Sequence, residues 1–239
     1  MAKRTTKSVT KPSLLKRILV VFTKVLVWFV LFSVIWVLAY RFINPPITLL
    51  MIQRNWERKA NDKPGKIEKK WVKFDDISDN MKRAAVSAED QLFLQHMGFD
   101  INAIEKAYAN NTKGKKMRGG STISQQTAKN VFLWSSRSFV RKGFEAYFTL
   151  LIELLWSKER ILEVYLNVIE MGDGIYGAEA AAQAYYGKSC NQMSKGEASL
   201  LAACFPNPIR WTPNKSTGYI RHRQYLIMRN MRRLGPLDF

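Results

Sequence analysis

The sequence predicts a mainly α-helical outer domain carried on one N-terminal transmembrane helix. Three observations lead there. An apolar run stands near the N-terminus, the apolar segments beyond residue 74 repeat at helical rather than alternating spacing, and capping or breaking residues stand at the ends of those segments. At 239 residues the chain has room for one principal domain and a smaller appendage.

The appendage comes first. Residues 1–17 form a basic tail, and "ILVVFTKVLVWFVLFSVIWVLAY", residues 18–40, runs 23 residues with Lys24 as its one charge. At about 1.5 Å per residue this run spans roughly 35 Å, enough to cross a bilayer. A cleaved signal peptide would have a shorter apolar core and a small-residue cleavage site, which "LAYRFINPP" does not offer. Lys3, Arg4, Lys7, Lys11, Lys16 and Arg17 precede the run without an acidic residue, and short basic flanks stay in the cytoplasm. The remainder of the chain is therefore expected outside, in the periplasm of a bacterium with two membranes. Lys24 lies near enough to the cytoplasmic surface to snorkel, and Trp28 and Trp36 read as lipid-facing bulk.

The net charge is +19, and beyond residue 40 the chain keeps 31 of its 38 basic residues against all 19 acidic ones. On a membrane-tethered outer domain this excess points to anionic headgroups, diphosphates or cell-wall polyanions. Nucleic acid is disfavoured by the topology and by the lack of any of its recognition motifs. Cys190 and Cys204 could pair in an oxidising compartment, but "SLLAACFP" reads as a buried small thiol, so no disulfide of consequence is expected.

Residues 41–73, with a Pro pair and mixed apolar and charged residues, read as a membrane-proximal connector; its "ITLLMI" lies on the bilayer or packs on the domain. The domain, residues 74–239, opens with Ser78 as an N-cap and Met81, Ala84, Ala85 and Ala88 on one helical face. The polar loop "NNTKGKKMRGG" follows. The longest pattern, "FEAYFTLLIELLWSKERILEVYLNVIEMG", places Leu150, Leu151, Leu154, Leu155, Leu162, Tyr165, Leu166 and Ile169 at helical spacing and stops at Gly172 and Gly174. An Ala-rich helix then closes at Gly187, Ser194 and Glu197 open another with a capping box, and a basic helix runs from about Gly218 to Arg233.

Three clusters could carry chemistry. In "SAEDQLFLQHMGFD", Glu89 and Asp90 end an apolar helix just before a glycine turn. That is either a solvated terminus or a carboxylate at the lip of a cleft, where desolvation would raise it toward a general base. In "RGGSTISQQTAKN", Ser121 or Thr122 caps a helix on which Gln125 and Lys129, and Gln126 and Asn130, share faces. The run reads equally as a polar turn or as an anion site at a helix start. In "RSFVRKGFEAY", Arg137, Arg141 and Glu145 stand at four-residue steps with Lys142 beside them. They form either a surface ion ladder or a set of cations for a phosphate leaving group.

Taken in order, "EDQLFLQHMGFD", "GGSTISQQTAKN", "RKGFEAY", "KERILEVYLN" and "AAQAYYGKSCNQMSKGEASLLAACFPNP" resemble the peptidoglycan glycosyltransferase family (glycosyltransferase family 51), in particular its monofunctional membrane-anchored members. The likeness covers residues 76–213. Ser124 stands where the family usually has Thr, and the penicillin-binding transpeptidase domain of bifunctional members is missing, its echoes "SLLK" and "SDN" being chance.

The resemblance implies a lysozyme-like helical glycosyltransferase domain that joins lipid II units into glycan strands at the inner membrane. By motif position, Glu89 is the general base, and Glu145 is the second carboxylate, orienting cations or assisting departure of the diphosphate. Lys129 and Arg137 hold the donor diphosphate. Ser121, Gln125, Gln126, Asn130, Asp90, Arg141 and Lys142 join the substrate-binding group. No cofactor is required. Divalent Mg or Mn dependence varies among members, and no metal-ligand spacing here calls for one. The implied partners are lipid II with its growing glycan, the membrane, and proteins of the cell-division or elongation machinery. A lysozyme-type lytic enzyme and a non-catalytic scaffold are the competing readings.

Overall fold

The computed structural model describes residues 13–101, 105, 120–136 and 138–239. Among them the elements are α1 (Leu14–Phe42), α2 (Leu49–Ala60), β1 (Glu68–Lys69), α3 (Asp79–Glu89), α4 (Ile123–Phe132), α5 (Phe139–Leu155), α6 (Lys158–Val168), β2 (Glu170–Gly172), β3 (Ile175–Tyr176), α7 (Ala178–Tyr186), α8 (Lys195–Ala203) and α9 (Gly218–Leu234). The fold is mainly helical, as expected.

Two packing groups make the core. Helices α3, α8 and α9 pack on one another, and α4 is clasped between α5 and α6. Small residues permit this: Ala84 and Ala85 of α3 and Ala198, Ala202 and Ala203 of α8 are all buried, so the helix backbones come close. A three-stranded sheet in the order β1-β3-β2 lies at the side, with β1 parallel to β3 and β2 antiparallel to it. The β2–β3 turn needs Gly174, whose φ is +75° and whose added Cβ would stand 2.8 Å from the Lys66 carbonyl oxygen.

Helix α1 is 29 residues long, about 43 Å at the helical rise, which exceeds a hydrocarbon core of roughly 30 Å. Its first part, through Phe32, is exposed; its last part lies on the domain. Phe29 meets Phe144 with ring centroids 5.8 Å apart, Ser33 shares a 2.6 Å hydrogen bond with the Tyr147 hydroxyl, and the Trp156 indole donates to the Val37 carbonyl at 2.8 Å. Trp36 therefore corrects the sequence reading: it packs edge-on against Phe132 and Phe148 instead of facing lipid, whereas Trp28 is exposed. Arg160 closes the helix by donating to the carbonyls of Tyr40 (2.9 Å) and Ile43 (3.0 Å).

The connector is folded onto the domain. Thr48 caps α2, Leu50 and Met51 are buried, and Leu49, Ile52 and Trp56 face outward. The Gln53 amide donates to the Ser135 carbonyl (3.2 Å) and accepts from the Ser135 N–H (2.8 Å), which latches α2 to the loop after α4. Farther along, buried Asn167 pairs with both backbone groups of Val72 at 2.9 Å.

The long pattern between Phe144 and Gly172 is two helices, not one. Ser157 accepts the Arg160 N–H and starts α6, and the end is a β-hairpin rather than a plain stop. Of the residues at helical spacing, Leu150 and Leu154 are exposed; Phe148 and Ile152 fill the inner face of α5. Cys190 and Cys204 are buried and unpaired.

Candidate active site

Glu89 is the last residue of α3 and half-buried. Its Oε2 accepts from the Gln126 side-chain amide at 2.8 Å, and the Gln126 carbonyl oxygen accepts from the hydroxyl of fully buried Tyr165 at 3.4 Å. That hydroxyl fixes the amide: with its oxygen turned to Tyr165, Gln126 has only its NH₂ to offer Glu89. Oε1 of Glu89 has no hydrogen bond among the described residues. Burial raises the Glu89 pKa above its ordinary value; the Gln126 bond and the Arg223 charge oppose that rise, and Asp90 adds to it. Beside it is a cavity of about 270 Å³ lined by residues 88–92 with Asp100, Gly120, Ser121 and Thr122.

Asp90 is not an open cleft carboxylate. It is buried, with one oxygen 2.8 Å from His96 Nε2 and the other accepting the Ile123 N–H at 3.0 Å. Its two oxygens hold His96 and the α4 start beside the end of α3.

Thr122 caps α4 and Gln125 turns back to accept the Thr122 N–H at 3.0 Å, completing a capping box. The Gln125 side chain is buried, and the Ile123 and Gln125 amides are occupied by Asp90 and Thr122. The Thr122 hydroxyl also donates to the Gly98 carbonyl at 2.6 Å. Gly98 is obligatory there: its φ is +81°, and a Cβ would stand 2.7 Å from Thr149 Cγ2 and 2.9 Å from Glu153 Cγ. Ser124 donates to buried Glu153, which also holds Lys158 at 2.8 Å.

One turn beyond the cap the chemistry changes. Lys129 is half-buried, and its side chain makes no hydrogen bond or ion pair among the described residues. Burial lowers its pKa first and Arg141 next; Glu145 opposes them, and Arg54 and Lys142 lower it further. Asn130 donates to the Gln126 carbonyl of its own helix at 2.7 Å. Glu145 is buried on α5 between Arg141, at 2.5 Å, and Lys142. Arg141 also donates through Nε to the Ser136 carbonyl at 2.7 Å.

Helix α5 begins only at Phe139, capped by Ser138, so the expected three-step ladder is an Arg141–Glu145 pair with Lys142. Arg137 lies outside the described residues, as does most of the loop before Gly120. Ser121 lines the cavity by Glu89. No group of three or more His, Cys, Asp or Glu suited to a metal occurs among the described residues.

Sequence reasoning missed three groups: Tyr165, read only as core, although a buried phenol needs a partner; Arg223, whose charge bears on Glu89; and Arg54, which the connector brings within electrostatic reach of Lys129.

The transglycosylase family model matches residues 57–232. The biosynthetic peptidoglycan transglycosylase of Pseudomonas fluorescens (strain Pf-5) is 48% identical over 216 residues, 90% of each chain. That of Pseudomonas syringae pv. syringae (strain B728a) is 47% identical over 227 residues, covering 95% of this chain and 94% of the relative. The one from Ectopseudomonas mendocina is 48% identical over 223 residues, 93% and 90% of the two chains.

Proposed function

The chain belongs to the transglycosylase family and is a peptidoglycan glycosyltransferase; from that premise we propose that it elongates glycan strands from lipid II without cross-linking them. One turn of α4 carries the reading. Gln126 holds the carboxylate of Glu89, and Lys129, three residues on and on the same helical side, offers a half-buried cation with no side-chain partner among the described residues.

In this reading Glu89, its pKa raised by burial, takes the proton from the 4-hydroxyl of the acceptor lipid II sugar through the uncommitted Oε1. The freed oxygen attacks C1 of the donor from the side opposite the diphosphate, which gives inversion. The C1–oxygen bond breaks and undecaprenyl diphosphate departs with its electron pair. Such a leaving group needs cations rather than a proton, and Lys129, with Arg137 on the resemblance alone, serves it. Glu145 orients Arg141 and Lys142 for the same group. Ser121, Gln126 and Asn130 supply hydrogen bonds to sugar and diphosphate. The cations separate this chemistry from that of a lytic enzyme, which would use Glu89 as a general acid.

Helix α1 fixes the site to the membrane. The outward Leu49, Ile52 and Trp56 of α2 and the Phe139, Val140, Leu150 and Leu154 exposed on α5 are apolar surface beside it, suited to the outer leaflet. With the basic tail inside, the domain stands on the periplasmic side of the inner membrane.

The test is purified protein in detergent with labelled lipid II. Polymer that lysozyme digests, and that Glu89→Gln abolishes, is the expected result. Binding without polymer would establish a scaffold, and release of fragments from preformed glycan would establish the lytic reading.

A further inference from the structure

The cations gathered at Lys129 do not all come from the catalytic helices. Arg141 and Lys142 reach it from α5, and both are committed to Glu145. The other cation comes from α2, in the segment that joins the membrane anchor to the domain: Arg54, half-buried, whose charge lowers the Lys129 pKa.

Its position is fixed by its neighbour. Gln53 clasps both backbone groups of Ser135, three residues past the end of α4, and α2 packs on α4 itself, the helix that carries Lys129. The guanidinium is steered but not saturated. Nη1 binds Glu57 at 2.7 Å, Nε lies 3.6 Å from Glu170, and Nη2 has no bond among the described residues. Glu57 is itself 41% exposed, so water competes for it and that pair holds weakly. A cation kept near Lys129, with its Nη2 open among the described residues, can donate to a polyanion.

We propose that Arg54 is a further diphosphate-binding residue, supplied by the connector and acting with Lys129 on the lipid-linked donor. This rests on the reading of Lys129 as the diphosphate cation. Arg54 and Lys129 would each contact the leaving group. The connector is then part of the donor site as well as a tether.

The rival explanation is that Arg54 only clamps α2 to the β2 strand through Glu170. Four variants of the full-length protein, Arg54→Gln, Arg54→Lys, Glu170→Gln and Lys129→Ala, separate the two when assayed with lipid II in detergent. Inorganic pyrophosphate serves as the competing probe, and each thermal midpoint is recorded. Loss of one charge-assisted contact should raise KM in Arg54→Gln about tenfold and weaken inhibition by pyrophosphate to a similar extent. Arg54→Lys should recover part of both, and Glu170→Gln should leave both near wild type.

The inference is overturned if KM and pyrophosphate inhibition are unchanged in Arg54→Gln, or if Glu170→Gln reproduces its loss. Should Arg54→Gln fail to fold, the Lys variant and Glu170→Gln still decide between contact and clamp. A fully active Lys129→Ala would instead bring down the diphosphate reading itself.

Discussion

Glu89 and Glu145 are both withdrawn from water, each on a helix packed against a neighbour that carries the site, yet the fold treats them in opposite ways. Glu145 is given two cations, Arg141 and Lys142, and is electrostatically complete. Glu89 is given one neutral amide and a guanidinium that makes no ion pair with it, and burial raises its pKa. On the proposed reading, a buried carboxylate with ion-pair partners orients them, and one kept short of them serves as the base.

The largest expected effect follows from that contrast. Glu89→Gln keeps the shape and removes the base, so turnover should fall by about 10²- to 10⁴-fold with little change in KM. The acidic limb of the wild-type rate profile should lie above the ordinary carboxylate value of 4.5. The stability sign is opposite to that of a salt-bridged acid. A raised native pKa means the folded state holds the proton more tightly, so stability falls as pH rises from the ordinary value through the raised one. Glu89→Gln should therefore be more stable than wild type at neutral pH and lose that advantage at acidic pH. Equal stability at both pH values, measured by chemical denaturation, would remove the strain assigned to Glu89.

Next in size is Lys129→Ala, expected to lower kcat/KM by about 10²-fold, the scale of losing one preorganised charge at a leaving group. Because Lys129 is destabilised by burial and by neighbouring cations, its loss should not lower the thermal midpoint. An active Lys129→Ala enzyme would show the unpaired lysine to be idle.

Glu145→Gln breaks the comparison from the other side. Leaving Arg141 without its partner should cost about 2–3 kcal/mol of stability. That is less than a fully buried pair, because Lys142 is 46% exposed and stays hydrated. In the folded fraction KM should rise as the cations loosen, with kcat changed far less than in Glu89→Gln. Loss of kcat as deep as that of Glu89→Gln at unchanged KM would mean that Glu145 takes part in the chemistry.

The sequence revealed what is local. Ser78, Thr122 and Ser194 cap the helices their spacing announced. What it hid depends on contacts distant in the chain. Asp90 and Glu89 are adjacent and chemically alike, and only the fold tells them apart, by bringing Ile123 and His96 to Asp90. Arg54 lies in a connector whose composition suggested a tether, and its nearness to Lys129 depends on the Gln53–Ser135 latch. Leu150 and Leu154 kept helical spacing, but periodicity does not distinguish a face turned to the core from one turned to lipid.

The smallest effect concerns two neighbours, Gln125 and Gln126, which composition cannot tell apart. Gln125 is buried and bonded to the Thr122 amide; Gln126, one residue on, is bonded to Glu89 and Tyr165. Gln125→Ala should cost about 1 kcal/mol of stability through the weakened cap, with KM and kcat near wild type once the folded fraction is counted. Gln126→Ala should do the reverse, lowering kcat by about tenfold at nearly constant stability, because Glu89 loses the amide that aims it. The two single variants, compared by thermal melts and lipid II turnover, test whether the base wall and the helix cap are separate devices. If Gln125→Ala lowered kcat as much as Gln126→Ala, the cap would be part of the catalytic geometry, and the division between framework and reactive carboxylate would have to be drawn one residue earlier in α4.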